Sequence, residues 1–345
     1  MNAAGVFFGQ SRLAVRTVAD ENGRECANVG LCLSGCPYSA VYNAAHTLAA
    51  LRKNPRFRYL PGLAAERLEE TPSGVTITCR SVGTGEVRVF SADRVFVACG
   101  VLATAKLVLR ALNASRADLR MKYQPYFLLP FLLFKNHAGA ASERLHTLTQ
   151  VFLELLDPRA SRRAVHVQLY TYNDIFKRRL RQALRPVPFL RDALEARLTG
   201  RLMAAQGYLH SDEASGISIA ARADARGDVR LALSGTLELP AKRAVGRAIL
   251  KLAGQARRIG ALPLLPLVEL GRPGEGNHIG AVFPMKERPG EWESDALGRV
   301  GRLKRVHAVD ASVLTTLPAT TLSYTAMANA HRIAVRVARR DAAGS

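Results

Sequence analysis

From Arg163 to Tyr172 the chain reads RAVHVQLYTY, so Val165, Val167 and Leu169 fall on one side of an extended strand and His166, Gln168 and Tyr170 on the other. GISIAAR (216–222) and GDVRLALSG (227–235) alternate in the same way. Such strands suit an antiparallel sheet with one face against a core. The face carrying His166, Gln168 and Tyr170 either lines a substrate cavity or meets solvent. AKRAVGRAILKLAGQARRIG (241–260) has the helical period and should pack through Val245, Ile249, Leu252 and Ala256.

A second block has a different pattern. AVYNAAHTLAALRKN (40–54) spaces its apolar residues as a helix does. RFRYL, AERLEE, GVTITCR, EVRVF and RVFVACG then read as strands, punctuated by the turn signals TPSG (71–74) and GTG (83–85). In RVFVACG, Val95, Phe96, Val97 and Ala98 form a short strand that is apolar on both faces, as inside a parallel or mixed sheet. Gly100 supplies a turn, and LATAKLVLRAL continues as a helix. A glycine turn into a helix is how such sheets bring backbone close to a cofactor. Towards the end, VHAVDAS reads as a short strand and turn, and a helix runs from about Leu322 almost to the C-terminus.

Composition adds bounds. With 345 residues, 48% hydrophobic and 22% charged, the chain is globular and long enough for one large domain or two interlocked ones. Five cysteines are too few, and odd in number, for a secreted disulfide framework. A reducing, cytoplasmic setting is the expectation. The first dozen residues lack the charged start and apolar core of a secretory signal. The greasiest run, YFLLPFLLF (126–134), is far shorter than the roughly 20 residues of a spanning helix.

The net charge of +21 raises the prospect of nucleic acid, an anionic membrane surface or an acidic substrate. No zinc-finger spacing or RNA-binding aromatic motif accompanies it, so nucleic acid is not expected. Peripheral association with a membrane stays open, with YFLLPFLLF and the basic stretch 177–201 as a greasy entrance or, alternatively, as core and solvated face.

Cys26, Cys32 and Cys36 sit at C-x5-C-x3-C and end in Gly-Cys-Pro, a pattern that raises iron–sulfur ligation. A cluster needs four ligands. Cys79 or Cys99 would have to supply the fourth, each on a strand far along the sequence. No metal is therefore expected, and the stretch reads as a tight Gly35–Pro37 turn with small buried thiols.

CxSGCPYSA, RVFVACGVLATAKLVL, PGEGNHIGAVFPM and VDASVLTTLPATTLSYTAMANAHRIA together, and in this order, resemble the glucose–methanol–choline (GMC) family of FAD-dependent oxidoreductases. They cover about a third of the chain. The resemblance implies an α/β fold: a partial Rossmann-like FAD-binding domain plus an α+β substrate domain with an antiparallel sheet. It places the FAD-binding parts at 1–110 and 271–345 and the substrate domain at 111–270. It also implies FAD as cofactor and oxidation of the CH–OH group of an alcohol or sugar-like substrate, with an electron acceptor that the sequence does not name.

On this resemblance His278, in NHIGAVF, is the general base, and Thr321 stands where the family places a second histidine or an asparagine. Threonine hydrogen-bonds but cannot serve as a base at neutral pH. Gly100, Asp310 and Ala311 carry over as cofactor contacts. Thr320 and Thr321 are cap candidates at a helix start that would face the reduced flavin. His307 and His331 are expected in packing or surface roles.

The family opens on a G-x-G-x-x-G turn that receives the pyrophosphate, and this sequence contains none. Either the reading frame is truncated or a partner chain supplies that half of the FAD site. Two rival readings remain: a non-catalytic remnant or subunit, and an iron–sulfur electron carrier.

Overall fold

The computed structural model describes residues 5–21, 23–137, 139, 147–171, 181–182 and 184–343, and the fold is a mixture of helices with largely antiparallel sheets. It divides into two compact units that interleave along the chain: residues 1–59, 126–208 and 244–270 form one, and 60–125, 209–243 and 271–345 the other. Strands and helices are numbered in chain order.

The first unit is built on one antiparallel sheet. Its strands are β1 (Val6–Gln10), β7 (Tyr126–Leu133), β8 (Val151–Leu155), β9 (Val165–Thr171), β10 (Leu202–Tyr208), β13 (Ala261–Pro263) and β14 (Glu269–Leu270). Their order is β1-β8-β9-β10-β7-β13, with β14 also on β7. The alternation seen in the sequence becomes burial here. Val165 and Val167 are buried, level with Leu155 and Leu153 on one side and Gly207 of β10 beyond Val167.

The greasy run YFLLPFLLF is strand β7, with Phe127, Leu129 and Phe131 in the core. Pro130 sits in mid-strand, where a missing N–H would normally break the ladder. On that edge β14 pairs with Phe127 and Leu128 and β13 with Phe131 to Leu133, so the proline falls in the gap between two short partners. Its carbonyl still accepts from Leu264 N at 2.9 Å.

Helix α1 (Ala44–Leu51) is capped by Asn43, whose Oδ1 accepts from Ala45 N at 2.9 Å, but it buries no side chain; its apolar spacing finds no core. RFRYL, expected as a strand, forms none. Helix α4 (Leu239–Gln255) does bury Val245, Ile249 and Leu252, with Ala256 just beyond its end. It is tied to the 157–160 turn by Lys251 Nζ to Asp157 Oδ2 at 2.6 Å and by Arg247 Nε to the Ala160 carbonyl at 3.0 Å. Helix α3 (Arg191–Thr199) completes the unit.

The second unit carries three small sheets around helix α2 (Val101–Ala111). Strands β2 (Leu63–Glu70), β3 (Val75–Ser81) and β4 (Val87–Ala92) form a meander. Strands β12 (Val229–Ser234), β11 (Ile217–Ala223), β6 (Arg116–Tyr123) and β15 (Ile279–Gly280) form a second sheet in that order. Strand β5 (Val95–Val97) pairs in parallel with β16 (Val306–Ala308). Helix α5 (Ser323–Ala343) closes the chain and buries Ile333 and Val337 against Leu297 and Val309.

Helix α2 ends where its hydrogen bonds can be closed locally. Asn113 takes the left-handed conformation at φ 52°, Asn113 N reaches the Arg110 carbonyl at 2.9 Å, and Ala114 N reaches the Leu109 carbonyl at 3.0 Å. This is the Schellman arrangement, with asparagine in the place glycine usually takes.

The β5 expectation is corrected in part. The strand lies in a parallel pair, but of its residues only Val97 is buried and Phe96 is 42% exposed. With a single partner strand among the described residues, one edge of β5 is left unpaired. Phe96 instead stacks on His307 of β16, ring centroids 5.2 Å apart.

Candidate functional site

His278 enters the site through strand pairing. Because β15 pairs with β6 in the register Ile279↔Tyr123 and Gly280↔Lys122, the residues just beyond, His278 and Gln124, come side by side. Gln124 N donates to the His278 carbonyl at 3.3 Å. Gly280 allows the next turn to pack, since a Cβ there would lie 2.6 Å from the Ala311 carbonyl oxygen. Beyond it, Ala281 N, Phe283 N and Met285 N donate to the carbonyls of Ala311, Ser312 and Val313, and Ala281 is held at φ 53°, a conformation non-glycine residues rarely take.

Gln124 is the residue that the sequence did not disclose. Its side chain is 2% exposed, and its Nε2 donates to the Pro318 carbonyl and, at 2.9 Å, to the Thr320 carbonyl. Those two acceptors fix the amide: the NH2 faces the 318–320 backbone and Oε1 faces His278. His278 Nδ1 lies 2.5 Å from that Oε1. An acceptor at Nδ1 requires the proton there, so the neutral imidazole has its lone pair on Nε2. Burial lowers the His278 pKa from its ordinary value, which keeps the ring neutral. A neutral imidazole with a fixed tautomer is what a proton acceptor at Nε2 requires.

Thr321 and Thr320 do not hold the cap positions expected of them. Helix α5 starts at Ser323, and the Leu322 carbonyl takes its first bond, from Ala326 N at 2.9 Å. Leu322 is thus the residue at the cap position, with no polar side-chain atom to offer, and both threonines precede it. Leu322 is held there by burial, and Thr320 and Thr321 are exposed. Thr320 joins the His278 cluster through its carbonyl, by way of Gln124.

Gly100 and Asp310 are brought together from opposite ends of the unit. Gly100 caps α2 at φ 88°, and its N–H donates to Asp310 Oδ2 at 3.0 Å. Thr104 Oγ1 donates to the same oxygen at 2.6 Å, and Ser312 N to Asp310 Oδ1 at 2.9 Å. The carboxylate joins the positive end of α2 to the turn Ala311–Val313. Gly100 is exposed, and no atom lies within 4 Å of where its Cβ would be. Ala311 is buried, with its carbonyl engaged by Ala281 N.

Other candidate residues take structural or separate places. His307 is buried, its Nδ1 2.9 Å from the Leu297 carbonyl, and burial lowers its pKa. His331 is exposed on α5. In the first unit, His166 Nδ1 meets Glu154 Oε1 at 2.7 Å across β8 and β9, and Tyr170 donates to Gln168 Oε1 at 2.8 Å. Strand register aligns Glu154, His166, Tyr208 and Tyr126 in one row, so this face is polar and aromatic and half-buried throughout.

The cysteines correct two expectations. Cys26, Cys32 and Cys36 are half-buried, and Cys32 opens a short 3-10 turn that ends at Gly35. Main-chain N–H groups around Cys36, that of Val41 foremost, lower its pKa. Cys79 lies on β3, but Cys99 falls in the exposed turn after β5, because the strand stops at Val97. Among the described residues no three His, Cys, Asp or Glu side chains are grouped to hold a metal ion. No described helix is long and apolar enough to cross a membrane.

No protein-family model and no curated protein sequence matches the chain. Solved structures do. Pyridoxine 4-oxidase from Mesorbium loti superposes with a TM-score of 0.57 at 14% identity, over 87% of this chain and 61% of that one. An FAD-dependent oxidoreductase from Chaetomium thermophilum gives 0.57 at 11% identity, over 85% of this chain and 63% of that one. The chain therefore spans about three-fifths of the length of these neighbours. It shares its fold with two oxidoreductases, and the likeness is one of fold.

Proposed function

We propose that the chain is the catalytic part of a GMC-type flavoprotein that oxidises the CH–OH group of an alcohol or sugar-like substrate. The observation that carries this reading is the His278–Gln124 pair, which presents a neutral histidine with its lone pair on Nε2. The fold shared with two oxidoreductases and the order of the sequence motifs support it.

The residues present fit one side of a flavin. Gly100 is a bare, exposed backbone turn at a helix start, and the 320–323 stretch, exposed at Thr320, Thr321 and Ser323, leads into α5 without a side-chain cap. Gly100, Asp310 through its hold on that turn, and the main chain of 320–323 would hold the group. The diphosphate-binding glycine turn has no counterpart in this sequence, so that part of the site is assigned to a further polypeptide segment. Bound flavin supplies a hydride acceptor. His278 does the rest: Nε2 takes the hydroxyl proton as the carbon's hydride leaves, and the C–O bond becomes a carbonyl. Gln124 keeps Nδ1 protonated and the ring turned so that Nε2 remains the accepting atom.

The visible spectrum of the purified chain tests this first. A two-banded flavin spectrum, bleached without oxygen by a primary alcohol in the wild type and not in His278→Asn, is the expected result. Equal bleaching by the variant would remove His278 from the chemistry. A colourless protein that gains no flavin on titration would favour the second reading, a subunit that needs a partner chain for FAD. The absent glycine turn is the observation favouring it.

A further inference from the structure

The second unit holds a cleft of about 500 Å³ that the flavin reading does not use. Its walls come from four elements: Glu66 and Arg67 on β2, Arg80 on β3, Arg110 in the last turn of α2, and Arg226 with Asp228 in the turn between β11 and β12. Four arginines face two carboxylates there, an excess of positive charge in a space of the size small ligands occupy.

The cationic groups are fixed in advance. Arg80 grips Glu66 with both arms, Nε to Oε1 at 2.7 Å and Nη2 to Oε2 at 2.9 Å, and gives Nη1 to the Gly85 carbonyl at 3.0 Å. Arg110 donates to the Glu66 carbonyl at 2.6 Å and pairs with Asp228. These two are held, so little side-chain entropy is left to lose on binding. Among the described residues Arg67 pairs only with Glu69, at 2.8 Å, an ion pair more than half exposed on both sides and therefore easily exchanged.

Arg226 is different. Its turn is rigid: Asp224 Oδ1 accepts from both Arg226 N and Asp228 N at 2.9 Å, and Gly227 takes φ 75°. Its guanidinium makes no hydrogen bond or ion pair among the described residues. A tightly built turn thus holds out an unpaired cation over a cleft already lined with cations.

We infer that this cleft binds a phosphorylated small molecule, with Arg226 and Arg67 as its ligand-facing cations and Arg80 and Arg110, each paired with a carboxylate, as a fixed wall. Phosphate suits it better than carboxylate. Guanidinium groups arrive from the meander on one side and the β11–β12 turn on another. A tetrahedral group with three outward oxygens can meet donors from several directions, whereas a planar carboxylate is met by one fork.

Titration calorimetry of the full chain with sodium pyrophosphate at low salt tests the inference. One-to-one binding is expected in the wild type. Arg226→Ala, which removes no hydrogen bond or ion pair among the described residues, should weaken it about tenfold or more while the unfolding midpoint stays put. Arg67→Ala should weaken it less. Arg272→Ala, an exposed arginine outside the cleft, should leave it unchanged. Absence of binding by the wild type would overturn the assignment. So would an Arg226→Ala affinity equal to wild type, or an equal loss in Arg272→Ala, which would mean attraction to net charge alone.

Discussion

Replacing Gln124 with leucine is the sharpest way to test how the His278 site is built. The substitution keeps the volume of a buried side chain and deletes three hydrogen bonds, to His278 Nδ1 and to the carbonyls of Pro318 and Thr320. The His278 N–H and the two carbonyls lose their partner, and the 318–320 backbone can recover part of the loss by turning to water. A buried polar group left without a partner costs about 1–3 kcal/mol, which puts the whole change at about 2–4 kcal/mol. In urea, followed by the fluorescence of Trp292 in the same unit, the midpoint should fall by about 1–2 M. Gln124→Glu is the companion. It keeps the shape but turns acceptors towards two carbonyls, so at neutral pH it should lose at least as much as leucine does. Nitrogen NMR of the wild type should show the His278 proton on Nδ1. A leucine variant within about 0.5 kcal/mol of wild type, or a proton found on Nε2, would refute the arrangement.

Four further outcomes are expected. His278 and His307 both have pKa values lowered from 6.5 by burial, so the unfolded chain binds more protons; stability should be complete above about pH 6.5 and decline as pH falls through the lower folded values, measured by urea midpoints across the acid range. Substrate-driven flavin reduction should lose rate on the acid side with an apparent pKa below that of free histidine, and a limb above it would contradict the buried neutral ring. Asp310→Ala strips the shared acceptor from Gly100 N, Thr104 Oγ1 and Ser312 N and should cost about 2–4 kcal/mol, with Asp310→Asn costing less; equal losses in thermal unfolding would count against a carboxylate bridging on both oxygens. Gly280→Ala should cost about 1–3 kcal/mol and disturb the His278 N–H signal, because its methyl would meet the Ala311 carbonyl oxygen and Leu317 Cδ2 at 2.6 and 2.8 Å.

Much of the local structure was legible in the residue pattern. The alternation of Val165 and Val167 or of Ile217, Ile219 and Ala221, and the helical spacing of Val245, Ile249 and Leu252, each turned into the buried face it implied. Periodicity is a property of neighbouring residues, so a single sequence displays it. His278 was singled out through the resemblance of NHIGAVF to a family motif, and not through any period in the residues around it.

What the sequence left undecided depends on partners distant along the chain. YFLLPFLLF has no period that separates a strand from a greasy surface, and only the gap between β13 and β14 gives Pro130 a place in the sheet. α1 has helical spacing but no core to meet. Gln124 lies between apolar segments without a motif around it, and its role comes from β15 pairing with β6 and from backbone nearly two hundred residues later. Thr320 and Thr321 were read as caps because hydroxyls prefer that position, but burial of Leu322 decided where α5 begins. Local preference amounts to roughly a kilocalorie per residue, and burial of an apolar side chain outweighs it. The sequence by itself determined the strands and helices whose residues keep a clear period; the tertiary structure alone decided pairing, burial and the tautomer of His278, because each of these is set by groups that meet only when the chain has folded.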